Sequence, residues 1–194
     1  MKSPEFIVFC GPMWSGKTSA LLSYIDKCKF QNKKVAVFKP KIDNRYSEGE
    51  IVSHAGWKVT AHCVDNGDGI VEFLANSEEL YDVIAVDELF MLKGATDVLV
   101  WAFRSGVTVV VSTLDLSATC SAFAEVKKAL TWATKIVKCT AACAVCKADA
   151  RYTYRLHGFD GSGEISVGGG DQYEPRCFIH HPYVGEKAAE PSLE

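Results

Sequence analysis

Four short, continuous apolar runs recur along the first part of the chain, each bounded by polar or turn-forming residues. They predict buried β-strands at residues 6–10, 35–38, 83–86 and 107–112. The segments between and after them have helical rather than alternating spacing, which predicts helices at 17–31, 69–80, 91–104 and 123–135. Strands that alternate with helices pair in parallel through right-handed crossovers. The pattern therefore predicts an α/β fold with a doubly wound, mostly parallel sheet.

The loop after the first predicted strand carries the run Gly11-Pro12-Met13-Trp14-Ser15-Gly16-Lys17-Thr18. Glycine, four residues and then Gly-Lys-Thr is the P-loop pattern, and a position between strand and helix is the one this motif needs. There, backbone N–H groups and a helix N-terminus surround phosphate oxygens. Lys17 would reach the terminal phosphates, and the Thr18 hydroxyl would bind Mg²⁺. The run predicts a nucleoside-triphosphate site.

An acidic pair, Asp87-Glu88, ends the third apolar run. In a P-loop protein a carboxylate at this place holds Mg²⁺, usually through water. Neighbouring residues of a strand point to opposite sides, so we expect Asp87 to face the metal and Glu88 to face a substrate hydroxyl. A carboxylate there can take the proton of the hydroxyl that accepts the phosphoryl group. Glu88 is therefore the candidate general base of a kinase.

The polar segment 41–68 is expected to be an irregular loop. A loop after the second strand opens at the same sheet edge as the phosphates. That position makes Asp43 a candidate metal contact and Arg45 a candidate phosphate contact, whereas His54 alone is more typical of a hydrogen-bonding loop residue.

Beyond residue 138 two Cys-x-x-ligand pairs appear, Cys143 with Cys146 and Cys177 with His180. Two such pairs about thirty residues apart suit a tetrahedral structural zinc site, which can hold together a region too small for its own core. A disulfide is the competing interpretation, and His181 is an alternative ligand to His180. Between the pairs, the glycine-rich segment 158–170 is either a flexible linker or a lid that presents backbone groups to a planar ligand.

The overall composition bounds the function. The 194-residue chain is nearly half apolar and has a net charge of −3, so it offers no general attraction to nucleic acid or to an anionic membrane. No apolar run approaches the roughly 20 residues that span a bilayer, and the N-terminal run is too short for a signal peptide. We expect a cytoplasmic protein with three parts: a nucleotide-binding domain at 1–138, a zinc-binding lid domain at 139–185 and a flexible tail at 186–194.

The motifs together resemble the type II thymidine kinase family over almost the entire chain. The resemblance is carried by the P-loop and by segments 43–47, 86–88, 114–115, 138–146, 152–155 and 168–173. It implies transfer of a phosphoryl group from ATP, with Mg²⁺, to the 5′-hydroxyl of thymidine in nucleotide salvage. It implies Glu88 as general base, a commonly tetrameric assembly, and a glycine-rich lid held by zinc. The implied nucleoside-binding residues are Met13, Leu114, Phe123, Thr153, Ser166, Val167, Gly168 and Tyr173.

Three departures from the family pattern lie beside the implied base pocket. Leu89-Phe90 replace a small residue and glutamine, Leu116-Ser117-Ala118 replace a stretch that ends in an aromatic residue, and Ala122 replaces proline. They predict a reshaped pocket in which Phe90 or Trp14 compensates. A deoxyuridine-preferring or broader pyrimidine nucleoside kinase is therefore an alternative. A P-loop ATPase with a nucleic-acid-binding zinc ribbon is a second one, although the C-terminal part is not notably basic. A GTPase is disfavoured because the chain has no Asn-Lys-x-Asp stretch.

Overall fold

The structure is a computed structural model that describes residues 3–43, 49–53, 55–156, 168 and 170–184. Within these ranges six strands form one parallel sheet: β1 (Phe6–Cys10), β2 (Val35–Pro40), β5 (His62–Val64), β6 (Val83–Val86), β7 (Thr108–Thr113) and β8 (Lys135–Lys138). Their order across the sheet is β5-β2-β6-β7-β1-β8. The predicted α/β fold with a doubly wound parallel sheet is confirmed. Arg45, His54, Ser166, Val167 and the tail lie outside the described residues.

Helices cover both faces of the sheet. Helix α1 (Lys17–Phe30) covers one face, and α2 (Gly67–Asn76), α3 (Ala95–Arg104) and α4 (Ala124–Trp132) cover the other. Strand β1 shows the alternation that this requires, because Ile7 packs with the α1 side while Phe6 and Val8 pack with the opposite side. Two apolar layers therefore hold the sheet, and the loops at its carboxyl edge are fixed on a rigid base.

Six short strands form antiparallel pairs outside the main sheet. Strands β3 (Glu50–Val52) and β4 (Lys58–Thr60) form one pair within the segment that follows β2. The C-terminal region contains the pairs β9 (Ala141–Ala142) with β10 (Asp149–Ala150) and β11 (Tyr152–Arg155) with β12 (Tyr173–Arg176). No helix within the described ranges is both long and apolar enough to cross a membrane.

Two segments contain strands that the sequence did not predict. Residues 41–68 were expected to be irregular, but they contain β3, β4 and the edge strand β5. The helix expected at 123–135 ends at Trp132, and residues 135–138 form the edge strand β8. An edge strand has one neighbour only, so it can be short and polar, and the lysines at both ends of β8 suit such a position.

The helix expected at 91–104 begins later, at Ala95. Residues Leu89–Met91 form a 3₁₀ turn, and Gly94 then adopts a left-handed conformation with φ 77°. The Glu125 carboxylate accepts hydrogen bonds from the Gly94 and Thr96 amides at 2.9 Å. These bonds satisfy donors at the start of α3, which explains a helix start that apolar spacing alone does not predict.

Candidate functional site

The P-loop leaves β1 at its carboxyl end and enters α1. Gly16 has φ 79° and Trp14 has φ 59°, so two of its residues are left-handed. The Lys17 side chain is buried, and its Nζ donates a hydrogen bond to the Pro12 carbonyl oxygen at 2.6 Å. Burial lowers the pKa of Lys17, and the carboxylates of Glu88 and Asp87 oppose that change. The loop thus holds a buried amine in the cavity that Asp87 and Glu88 also line.

Asp87 follows β6 directly and is buried at the start of the next loop. The Ser112 hydroxyl at the end of β7 donates a hydrogen bond to it, and the Thr18 hydroxyl lies 3.5 Å from both of its carboxylate oxygens. Burial and the charge of Glu88 raise the pKa of Asp87 to about 7, against the opposing effects of Ser112 and Lys17. Mg²⁺ prefers oxygen ligands, so the Thr18 hydroxyl and the Asp87 carboxylate are suited to bind this ion.

Glu88 lies beyond the end of β6, so strand alternation does not set the direction of its side chain. Strand β6 ends at Val86, and Glu88 has left-handed dihedral angles, φ 49° and ψ 46°, just before the 3₁₀ turn. A non-glycine residue in this region carries strain, and such residues are frequent at functional sites. The half-buried Glu88 lines the same cavity as Lys17 and Asp87.

One cavity at the carboxyl edge of the sheet brings most of the predicted triphosphate and metal residues together. It is lined by Met13, Trp14, Gly16, Lys17, Thr18, Ser19, Lys39, Asp43, Glu50, Ile51, Val52, Asp87, Glu88 and Gly170. Gly11, Pro12 and Ser15 are not among these lining residues, although Pro12 and Ser15 contact Lys17. Arg45, which was expected here, lies outside the described residues.

The sequence did not predict that strand β3 forms one side of this cavity. Lys39 is 4% exposed, and its Nζ donates a hydrogen bond to the Glu50 carbonyl oxygen at 3.2 Å. This contact holds strand β3 beside the cavity that both residues line. A signal was present, because Lys39 lies at the carboxyl end of a predicted strand, where binding residues collect in α/β sheets.

The two Cys-x-x-ligand pairs converge as predicted. The ligand atoms of Cys143, Cys146, Cys177 and His180 all lie within 4.8 Å of one another, and the Cys177 sulfur lies 3.2 Å from His180 Nδ1. The Cys146 and Cys177 sulfurs are 3.7 Å apart, well beyond the roughly 2.05 Å of a disulfide bond. This group of three cysteines and one histidine could hold a zinc ion.

The state of Cys143 suits metal binding. Burial raises the pKa of this thiol, but main-chain hydrogen bonds from Cys146, Cys177 and Val145 outweigh that effect and lower the pKa to about 6. A thiolate is the form that binds a metal. His181, the alternative ligand, has its Nε2 3.1 Å from the Thr153 carbonyl oxygen and is not part of the cluster.

The P-loop contacts this C-terminal region directly. The Met13 amide donates a hydrogen bond to the Thr153 hydroxyl at 3.1 Å. The Trp14 side chain packs against the small core formed by Ala141, Cys143, Ala150 and Cys177. Two of the four P-loop residues that the generic motif leaves variable, Met13 and Trp14, therefore link the triphosphate loop to the C-terminal region that holds the metal cluster.

The implied nucleoside residues lie in two places. Leu114 and Phe123 pack with Phe90, whose ring centroid lies 4.7 Å from that of Phe123. Gly168, Tyr173 and Thr153 lie in the C-terminal region, with Gly168 close to the Tyr173 ring. Of the implied set only Met13 lines the cavity described above, and Ser166 and Val167 lie outside the described residues. Phe90 thus packs against two of the implied nucleoside-binding residues. It is one of the two residues that were expected to compensate for the aromatic residue missing after Leu114-Asp115.

Two comparisons of the sequence with known proteins identify the same family over nearly the whole chain. The family model described as thymidine kinase matches residues 5–181. The chain is 38% identical over 183 residues to a thymidine kinase of Thermococcus kodakarensis, covering 90% of this chain and 92% of that protein. A solved structure of the genome packaging NTPase B204 from Sulfolobus turreted icosahedral virus 2, in complex with sulfate, superposes with a TM-score of 0.45 at 19% identity, covering 71% of this chain and 74% of that one.

Proposed function

Because the chain belongs to the thymidine kinase family, we propose that it transfers the γ-phosphoryl group of ATP to the 5′-hydroxyl of thymidine. The observation that carries the proposal is the cavity that the buried Lys17, the Thr18–Asp87 pair and Glu88 line together. Phosphoryl transfer needs little covalent chemistry from the protein, and these groups supply the positioning and charge that it does need. The chain is accordingly a nucleoside kinase whose acceptor and donor we assign here.

The P-loop would bind the triphosphate of ATP. The backbone of Gly11, Trp14, Ser15 and Gly16 would offer N–H groups to phosphate oxygens, whereas Pro12 has none and the Met13 amide donates to the Thr153 hydroxyl. Lys17 would exchange its contact with the Pro12 carbonyl for the terminal phosphates. Thr18, Asp87 and Asp43 would hold Mg²⁺, which when bound neutralises charge on the phosphates. Arg45 would add a further positive charge near the transferred group.

Glu88 would act as the general base. Its carboxylate takes the proton of the 5′-hydroxyl while the oxygen forms a bond to the γ-phosphorus and the bond to the bridging oxygen of ADP breaks. The left-handed backbone at Glu88 supports this role, because it turns the side chain into the cavity that Lys17 lines. Asp87 is tied to Ser112 and Thr18, which leaves the acceptor side to Glu88.

The thymine base would lie between the P-loop and the C-terminal region. Met13, Leu114, Phe123, Thr153 and Tyr173 supply side chains there, and the backbone of Ser166, Val167 and Gly168 would hold the edge of the base. Backbone recognition penalises a wrong base, since it leaves buried amides unpaired. Structural Zn²⁺ held by Cys143, Cys146, Cys177 and His180 would tie this lid region to the rest of the chain.

The wider role follows from the family resemblance. We propose that the enzyme acts in nucleotide salvage, in the cytoplasm and as a homotetramer, and that residues 1–138, 139–185 and 186–194 form the catalytic domain, the lid domain and a tail. The family match and the Thr153–Met13 contact between the first two segments support this organisation.

A transfer assay with γ-labelled ATP tests the proposed reaction. Label should appear in thymidine 5′-monophosphate, and 5′-deoxythymidine, which lacks the acceptor hydroxyl, should receive none. Label that appears only as inorganic phosphate, at a rate that single-stranded DNA or RNA increases, would instead support a nucleic-acid-dependent ATPase. Lys17→Met is the matched inactive control, because it removes the buried amine and keeps an unbranched side chain that is one atom shorter.

A further inference from the structure

His181 lies next to the zinc-ligand candidate His180, but its ring is directed to other partners. It is 1% exposed, and the rings of Tyr152, Tyr154 and Tyr183 surround it at centroid distances of 5.6–5.9 Å. A buried imidazole carries polar nitrogens that need partners, so an aromatic hydrocarbon ring would fill the same space at lower cost. Its presence therefore calls for a polar role.

The hydrogen-bond partners of His181 define which nitrogen carries a proton. Nε2 lies 3.1 Å from the Thr153 carbonyl oxygen, and a carbonyl can only accept, so Nε2 must be the donor. Nδ1 faces the Cys120 sulfur at 3.9 Å. The ring therefore connects the loop that contains Cys120 with the backbone of β11.

The Thr153 carbonyl needs a donor from outside its strand pair. Thr153 stands opposite Pro175 in the β11–β12 register, and the Leu156 amide donates to the Gln172 carbonyl oxygen three positions further along. Because hydrogen-bonded and non-hydrogen-bonded pairs alternate in an antiparallel ladder, Thr153 and Pro175 are a non-hydrogen-bonded pair, and the Thr153 carbonyl faces away from β12. Thr153 is 3% exposed, so an unpaired carbonyl there would cost free energy. His181 supplies the donor. The hydroxyl of the same residue accepts the hydrogen bond from the Met13 amide in the P-loop.

We propose that His181 is a positioning residue for phosphoryl transfer. By donating from Nε2 to the Thr153 carbonyl, it fixes the residue whose hydroxyl holds the Met13 amide, and so it sets the P-loop against the C-terminal region. The kinetic side of this inference rests on the proposed phosphorylation of thymidine. The hydrogen-bond side does not, because it concerns contacts within the chain alone.

Three substitutions separate positioning from packing. His181→Gln places an amide N–H near the Nε2 position, His181→Asn places one near Nδ1 and too short to reach Thr153, and His181→Phe fills the space with no donor. We expect kcat/KM for thymidine to fall by about tenfold in the Phe and Asn variants, mostly through KM, and by less than about threefold in the Gln variant. Zinc content and the KM for ATP should change little in all three.

Amide hydrogen exchange provides a readout that does not depend on activity. Exchange at Met13 should accelerate in the Phe and Asn variants and stay near the wild-type rate in the Gln variant. In the intact protein, ¹⁵N NMR of the histidine rings should show the His181 proton on Nε2. A proton on Nδ1 alone would overturn the proposal, as would equal kinetics and exchange in the Gln, Asn and Phe variants. Absence of thymidine phosphorylation by the wild type would remove the proposed function and leave the exchange and NMR tests in force.

Discussion

Gly11 and Cys139 approach so closely that a Cβ atom on Gly11 would lie 2.3 Å from the Cys139 carbonyl oxygen. The first P-loop residue is thereby packed against the main chain that leaves β8, and the Cys139 amide donates to the Cys10 carbonyl oxygen at 2.7 Å. Both partners are backbone, so neither can move aside like a flexible side chain. The start of the P-loop and the start of the C-terminal region are therefore built as one contact.

Gly11→Ala should consequently damage both stability and activity. Gly11 also has φ 148°, so the substitution adds backbone strain to the collision. We expect a loss of more than about 3 kcal/mol in the free energy of unfolding. Gly106→Ala is the matched control, because Gly106 has φ 96° but open space around its Cβ position, and strain alone costs about 1–2 kcal/mol. Denaturant unfolding of both variants measures the two losses of unfolding free energy. Equal losses would contradict the prediction that the collision with Cys139 adds to the backbone strain.

Asp87→Asn should stabilise the metal-free protein while it abolishes turnover. Burial and Glu88 raise the pKa of Asp87 to about 7 from its ordinary 3.8, so the folded state disfavours the ionised form. The resulting loss of unfolding free energy is absent below pH 4, grows between pH 4 and 7 and is complete above pH 7. The gain of the Asn variant should follow the same course and reach at least about 1 kcal/mol at pH 8. Thermal unfolding without Mg²⁺ at pH 5 and pH 8 measures it; a larger gain at pH 5 would contradict this account.

Glu88→Gln tests the general base. Turnover should fall by roughly two to four orders of magnitude, because the amide keeps the shape of the side chain but cannot accept the hydroxyl proton. ATP affinity should change little, since the P-loop and Lys17 remain. Glu78→Gln, at an exposed position on the surface, is the control and should be silent. Near-normal turnover in the Glu88 variant would remove the role from this residue.

Purified protein should contain one zinc ion per chain. Cys143→Ser should lose that zinc and lower the melting temperature by more than about 5 °C, because metal binding supplies folding free energy to this small region. Cys63→Ser provides the control, since Cys63 is exposed and lies outside the cluster. Metal analysis and thermal unfolding give the answer, and a zinc-free wild-type protein with full activity would contradict the structural role.

The parts of the fold that the sequence predicted are those with long apolar runs. Strands β1 and β6 lie inside the sheet, so burial on both faces requires continuous apolar residues that stand out in the sequence. Edge strands β5 and β8 have no such requirement, and the pattern missed both. Helix α3 begins late because the distant Glu125 carboxylate holds its first turn, a contact that spacing cannot indicate.

Some residues of the candidate site could be predicted from local motifs, whereas others enter it through tertiary contacts. The P-loop and the Cys-x-x-ligand pairs are local motifs, so their positions followed from sequence. Lys39 and strand β3 contribute to the cavity through a tertiary contact between Lys39 and Glu50, and no local spacing encodes it. Strand alternation was expected to separate Glu88 from Asp87, whereas the strand ends at Val86 and both residues line the same cavity.

The most direct test of the central claim is the specificity constant for a panel of nucleosides with ATP. We predict the highest kcat/KM for thymidine, with phosphate transferred to its 5′-hydroxyl, lower values for deoxyuridine and still lower values for deoxycytidine. A kcat/KM for deoxycytidine equal to or above that for thymidine, or ATP hydrolysis with no nucleoside phosphorylated, would contradict the assignment.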